Sequence, residues 1–320
     1  MIEPVPPPPA GHVVRRPTEA DIGAIYAVFA SYNTALLGFA DVTVDDIVDN
    51  LAEPGFDPAT DAWLAHGADG RPSGYGCVFG GTGPAEHHVE VAAADPELER
   101  WLFDRVLARS AEVASERGQD EVAVDLGIYR NDERLRALAA EAGFAPGTTF
   151  QRLRIDHPGA VAAPTLPDGV VVRTGDEGDD VRRAAHAVID AAFAGQFGIV
   201  PQTYDEWHDA LDARTSFTWP QLVVLELDGR AVAARIDNDQ FVGDEDCGYV
   251  ARLAVAEDVR GRGLAKVLLR DAFATHAAAG RTGTILHVDT NNPTPALDLY
   301  RSVGMDLVLV IDVWRATRPT

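Results

Sequence analysis

Tyr249-Val-Ala-Arg-Leu-Ala-Val255 and, just downstream, Val259-Arg-Gly-Arg-Gly-Leu-Ala265 read as a β-prone strand that hands over to a helix through a glycine-rich turn. Leu264, Val267, Leu268 and Ala272 then recur at helical spacing. A turn of this kind can hold a phosphate. Glycine lets the backbone come close, several N–H groups share one concavity, and the start of the helix adds partial positive charge. Arg260 and Arg262 bring full charge to the same place.

Outward from this turn, the chain repeats itself. His12-Val-Val-Arg-Arg-Pro17 and Gly169-Val-Val-Val-Arg-Thr174 each open a half with a short strand before an acidic helix start. Each half continues with a strand pair around a turn, Gly67-Ala-Asp-Gly-Arg-Pro72 in one and Leu227-Asp-Gly-Arg230 in the other. A long helix closed by Gly118 or Gly280 follows. A strand, a polar turn and a second helix ending at Gly143-Phe144 or Gly304-Met305 complete each half. The expected organisation is a disordered proline-rich tail over 1–10, a first α/β domain over 11–156, a linker over 157–168 and a second domain over 169–320.

Composition narrows the function. The 320 residues suffice for two domains, and the net charge of −23 argues against a general nucleic-acid binder. The same charge would suit a cationic partner. Cys77 and Cys247 form no Cys-x-x-Cys pair, and the nine histidines show no metal-ligand spacing, so no metal is expected. No apolar stretch reaches the length of a membrane span, and the first residues lack the pattern of a signal peptide, which predicts a cytoplasmic protein with no membrane partner.

Three elements in register, Leu253-Ala-Val255, Arg260-x-x-Gly263-x-Ala265 and Asn292 to Ala296-Leu-Asp-Leu-Tyr300 to Gly304-Met305, resemble the GCN5-related N-acetyltransferases (GNAT) in their tandem, mycothiol-synthase-like form found in actinobacteria. The resemblance spans roughly residues 12–316. It implies two tandem GNAT domains, each a mixed, mostly antiparallel twisted sheet flanked by helices. It also implies acetyl-CoA as co-substrate and a small-molecule amine, a cationic one by the net charge, as acceptor. The cofactor-binding set would be Leu253, Ala254, Val255, Arg260, Gly261, Arg262, Gly263, Leu264, Ala265 and Asn292. Tyr300 stands at the family's general-acid position, where a hydroxyl can donate to the departing thiolate.

The base is less determined. Related mycothiol synthases carry a glutamate where this chain has Tyr249, so Tyr249, Asp246 or another carboxylate acting through water remain open. Phe197 and Trp207 are the candidates for the substrate pocket, and Phe193 reads equally well as core. In the first half the counterpart of the glycine-rich turn is Asp95-Pro-Glu-Leu-Glu-Arg-Trp101, and the counterpart of Tyr300 is Ala139. Its carboxylates would repel a pyrophosphate, so the first half reads as scaffold. A mycothiol synthase proper and a non-catalytic acyl-CoA-binding module stay as alternatives, as do a monomer and a homodimer.

Overall fold

The structure, a computed structural model, describes residues 6–80, 86–194, 201–291 and 296–320. The chain divides into two compact units, residues 1–149 with 311–320, and residues 150–310. The first repeat contributes β1 (His12–Arg15), α1 (Ile22–Leu37), α2 (Val44–Leu51), α3 (Pro58–Asp61), β2 (Ala62–Gly67), β3 (Pro72–Phe79), β4 (Glu86–Ala93), α4 (Pro96–Glu116), β5 (Glu121–Tyr129), α5 (Glu133–Glu141) and β6 (Ala145–Asp156). The second contributes β7 (Val170–Thr174), α6 (Asp179–Phe193), α7 (Tyr204–Asp212), β8 (Leu222–Leu227), β9 (Arg230–Asn238), α8 (Val242–Glu245), β10 (Cys247–Val255), α9 (Leu264–Ala278), β11 (Gly283–Asp289), α10 (Ala296–Ser302) and β12 (Asp306–Pro319).

In the first unit the strands run β1-β2-β3-β4-β5 and then the second part of β12. Every pair is antiparallel except β4–β5. The second unit repeats this order as β7-β8-β9-β10-β11 and then β6, again with one parallel pair, β10–β11. Two α/β units with mixed, mostly antiparallel sheets are therefore present.

The units do not coincide with the two halves of the repeat. Residues 150–156 of β6 come from the first half yet pair with β11, from Phe150 against Asp289 to Asp156 against Gly283. Residues 311–319 of β12 come from the second half yet pair with β5, from Ile311 against Tyr129 to Pro319 against Glu121. Arg315 sits opposite Asp125 in that ladder and donates to both of its carboxylate oxygens at 2.7 Å. The segment expected to be a linker is anchored at its start, where buried His157 donates its backbone N–H to Thr282 at 2.7 Å. At the other end of the chain, Trp101 donates its indole N–H to the Pro6 carbonyl at 2.7 Å.

Each sheet buries both faces. In the second unit, α6 and α7 cover one face with Val181, Ala185, Trp207, Leu222, Val224 and Ile236. On the other face Leu269, Ala272, Phe273, Leu286, Val288 and Tyr300 form the core. Close approach fixes α9 on this face, since a Cβ on Gly248 would lie 2.3 Å from the His276 ring. Beneath the same helix Arg235, fully buried, pairs with Asp237 at 2.8 Å and Asp271 at 3.0 Å and donates to the Leu268 carbonyl. A buried charge stripped of such partners is strongly destabilising, so this network holds the helix in one place. Among the described residues no helix is long and apolar enough to cross a membrane.

The exchange of final strands gives a direct test. Truncation after Val310 removes the whole ladder on β5 and exposes that edge. The expected outcome is a melting midpoint lower by roughly 10 °C or more, or insolubility, read by circular dichroism. An unchanged midpoint would mean that the strand is dispensable to the first unit.

Candidate active site

Four parallel pairings join β10 to β11, from Cys247 against Gly283 to Val250 against Leu286. Both strands continue, β10 to Val255 and β11 to Asp289, but no longer pair with each other. A wedge opens between them. On its other side β10 stays bonded to β9, with a bulge at Ala251 between the pairs Val250–Asp237 and Arg252–Ile236. The edge of β10 that runs past Leu253, Ala254 and Val255 therefore has no strand partner among the described residues.

β10 leads into the glycine-rich turn. Gly261 and Gly263 both sit at φ +82°, a left-handed conformation that glycine adopts freely. A Cβ at either position would meet nothing within 4 Å, so open space borders the turn. Gly263 caps α9 without any side-chain hydrogen bond to the helix start. Gly261, Arg262 and Gly263 are exposed, while Leu264 is buried and anchors the first turn; Ala265 follows it, partly covered. Arg260 donates its Nε to the Val255 carbonyl at 3.2 Å, which ties the turn back to the strand end. The counterpart in the first unit is closed. There Asp95 caps α4, and one of its carboxylate oxygens accepts from Glu97 at 2.8 Å and Leu98 at 3.1 Å. The N–H groups that an anion would need are already used, although β4 and β5 part after Val89 and Leu126 in the same way.

Two tyrosines flank the wedge of the second unit from opposite faces. Tyr300, on α10, is buried among Val250, Leu286 and Val288. Burial pushes its phenol up to about 12, with Tyr249 adding to the shift. Tyr249 faces the other way, packed with Phe241 and Ile285. Burial also raises its phenol above the usual range, although Arg252, Arg152 and Arg214 pull in the opposite direction.

A polar chain runs across the sheet behind Tyr249. Arg152 of β6 donates its Nε to His287 Nε2 at 3.0 Å, and His287 Nδ1 lies 3.1 Å from the Tyr249 hydroxyl. A guanidinium has no acceptor, so His287 Nε2 must accept, and the ring proton must sit on Nδ1. His287 consequently donates to the Tyr249 oxygen and leaves the phenolic proton free to point elsewhere. Burial, helped by Arg152, drops the His287 imidazole to about 3 and keeps it neutral. Arg152 is held in turn by Glu245 at 3.0 Å, and Arg154 reaches the second Glu245 oxygen at 2.8 Å.

Some residues singled out in the sequence lie elsewhere. Asp246 occupies a left-handed turn before β10, half exposed and 3.7 Å from Arg281, at the end of the strand remote from the wedge. Its carbonyl accepts from Thr282, so it holds a turn instead of facing the tyrosines. Trp207, expected at a pocket wall, is a core residue buried against Trp219, His186 and Tyr204, because its face of α7 turns toward α6 and β8. Phe193 is half-buried at the end of α6, with the Arg252 guanidinium 5.7 Å from its ring centre. Asn292 and Phe197 lie outside the described residues. Reading the sequence missed Arg152 and His287. Arg152 belongs by sequence to the other half of the repeat, and nothing local joins it to this sheet.

Comparisons with known proteins bear on the family and the fold. Residues 188–305 match the model of the acetyltransferase (GNAT) family. A mycothiol acetyltransferase of Geodermatophilus obscurus is 26% identical over 265 residues, which cover 80% of this chain and 82% of that one. Among solved structures, a GCN5-related N-acetyltransferase from Sphaerobacter thermophilus superposes with a TM-score of 0.81 at 22% identity, covering 98% of each chain. A tandem GNAT protein from the clavulanic acid biosynthesis pathway gives 0.72 at 14% identity, over 97% of this chain and 99% of that one. At such identities the two structures bear on the fold alone.

His287 carries a prediction. Its folded value of about 3 lies below the ordinary 6.5 of histidine, so only the unfolded chain binds this proton between those values. Stability from this residue is complete above about pH 6.5 and falls as the pH drops toward 3. Nitrogen-detected NMR should find His287 neutral with its proton on Nδ1 at pH 5, and Arg152→Gln should raise its pKa. A histidine that titrates near 6.5 would refute the arrangement.

Proposed function

We propose, from the premise that this chain is an acetyltransferase of the GNAT family in tandem form, that its second unit moves the acetyl group of acetyl-CoA onto a small-molecule amine by direct attack on the thioester. The observation that carries this reading is the wedge between β10 and β11, flanked by Tyr249 and Tyr300 and led by β10 into an uncapped helix start. Acetyl-CoA supplies an activated acyl group, and the residues present fit it. Backbone N–H groups over 261–265, with the Arg260 and Arg262 side chains, would take its pyrophosphate, and the edge of β10 at Leu253 to Val255, which has no strand partner among the described residues, would take its amides. Asn292 belongs to the same proposed set by resemblance.

Tyr300 is the proposed acid. With its phenol near 12 it stays protonated across the working pH range, so it can always donate to the sulfur as the carbon–sulfur bond breaks. Tyr249 is too weak an acid to serve as a phenolate base. Its oxygen accepts from His287 and keeps one lone pair for the incoming amine, while its own proton can pass to water. The amine proton thus leaves through a hydroxyl relay, without a charged base. The acceptor of the named relative is not transferred to this chain, because identity to it is 26% and Tyr249 stands where related mycothiol synthases carry a glutamate.

One acetyl-CoA should bind per chain, since the Asp95 carboxylate closes the corresponding helix start of the first unit. Calorimetric titration showing two sites of similar affinity would overturn this. Gly263→Val would strain the left-handed position and fill the open space beside it, so acetyl-CoA binding should weaken at least tenfold. Retained affinity would remove the turn from the binding set. Tyr300→Phe should leave acetyl-CoA affinity nearly unchanged while turnover falls roughly 10²- to 10⁴-fold. Full turnover in that variant would dismiss the acid role.

A further inference from the structure

The net charge of −23 points to a cationic acceptor, but the surroundings of Tyr249 have the opposite sign. In an unbroken strand Tyr249 and Arg252 would face opposite sides. The bulge at Ala251 removes that offset. Tyr249 lies opposite Asn238 and Arg252 opposite Ile236, two positions of β9 that share a face, so the side chains of Tyr249 and Arg252 emerge together on the α6 side. Arg252 is exposed, lies over Phe193 and spends one donor on the Ala251 carbonyl.

Arg214, in the segment that follows α7, acts on the Tyr249 phenol in the same sense as Arg252. That segment is fixed beside the end of β9, where Asp239 donates its N–H to the Ser216 carbonyl at 2.8 Å, next to the Asn238 that pairs with Tyr249. Arg214 is exposed, and neither it nor Arg252 pairs with a carboxylate among the described residues. Arg152, the third guanidinium near Tyr249, is neutralised by Glu245. In a chain with 50 acidic and 27 basic residues, a face where only guanidinium groups act on the site residue departs from the average.

We infer that the acceptor carries, besides its amine, an anionic group that Arg252 and Arg214 receive: a carboxylate or a phosphate ester. This deepens the acetyl-transfer reading above and rests on it. The guanidinium fork fits either oxyanion and gives charge-assisted hydrogen bonds that a neutral analogue cannot make. The amine then projects toward Tyr249, and the anion stays on the exposed side beside Phe193. The acidic remainder of the surface does not oppose this, because its field is screened beyond about 10 Å at 0.1 M salt while the two arginines act at contact.

Matched acceptors test the inference at saturating acetyl-CoA. One pair is phenylalanine and phenylalaninamide; the other is glucosamine 6-phosphate and glucosamine. The expected result is that in one pair the anionic member has the higher kcat/KM by roughly 10- to 100-fold, and the pair concerned distinguishes carboxylate from phosphate. Arg252→Gln and Arg214→Gln should collapse that ratio toward one, Arg252→Lys should keep part of it, and acetyl-CoA affinity measured by calorimetry should hold in all three. Neutral members that react as well or better would overturn the inference. So would an equal loss on both members of a pair, or a loss of acetyl-CoA affinity, which would assign the arginines to the co-substrate. A wild-type chain that acetylates none of these amines, nor a wider amine panel, fails the transfer reading itself and this inference with it.

Discussion

A parallel strand pair that parts halfway along its length organises the second unit. β10 and β11 pair from Cys247 to Val250 and from Gly283 to Leu286, then diverge. Unpaired backbone inside a sheet is costly unless something else meets its polar groups. The divergence is tolerated because β10 remains tied to β9 and β11 to β6 along their outer edges. What is left between them is a slot whose β10 wall has no strand partner among the described residues, with a tyrosine on each side. The bulge at Ala251 then sets which side chains share a face with Tyr249. The position of α9 completes the arrangement, because buried Arg235 and the contact of His276 with Gly248 leave that helix no freedom to slide.

The first unit has a similar slot beside a different helix start. β4 and β5 separate in the same manner, yet the helix beside them starts with an aspartate that satisfies its own N–H groups. One position decides the difference. A carboxylate at the helix start gives local stability of about 1 kcal/mol and excludes an anion; a glycine there gives up that stability and leaves the donors free. Ala139 and Tyr300 differ in the same sense, a small core residue on one side and a buried hydroxyl on the other.

The turn over 260–265, the helix after it and the repeat of the two halves were legible in the sequence, because each has a local signature of glycine, periodicity or turn residues. The family resemblance carried the tandem fold. Three things were not legible, for physical reasons. A bulge adds one unpaired residue to a strand without marking it in the sequence, so the shared face of Tyr249 and Arg252 appears only in the register with β9. Arg152 reaches His287 across a sheet from 135 residues away, and no spacing encodes that. Trp207 reads from the sequence as a pocket candidate, while burial of its ring is decided by Trp219 and the strand beneath.

The exchange of final strands also bears on how the chain is made. As it leaves the ribosome, the first half supplies β1 to β5, but the partner of β5 is encoded by residues 311–319. At synthesis rates of about 5–20 residues per second, that partner arrives on the order of ten seconds or more after β5 itself. Meanwhile β6, translated early, awaits β11. Neither unit can therefore close in the usual order of domain by domain from the N-terminus. Completion of the first unit waits until residues 311–319 have been made, and a nascent chain stalled before them would hold the edge of β5 open.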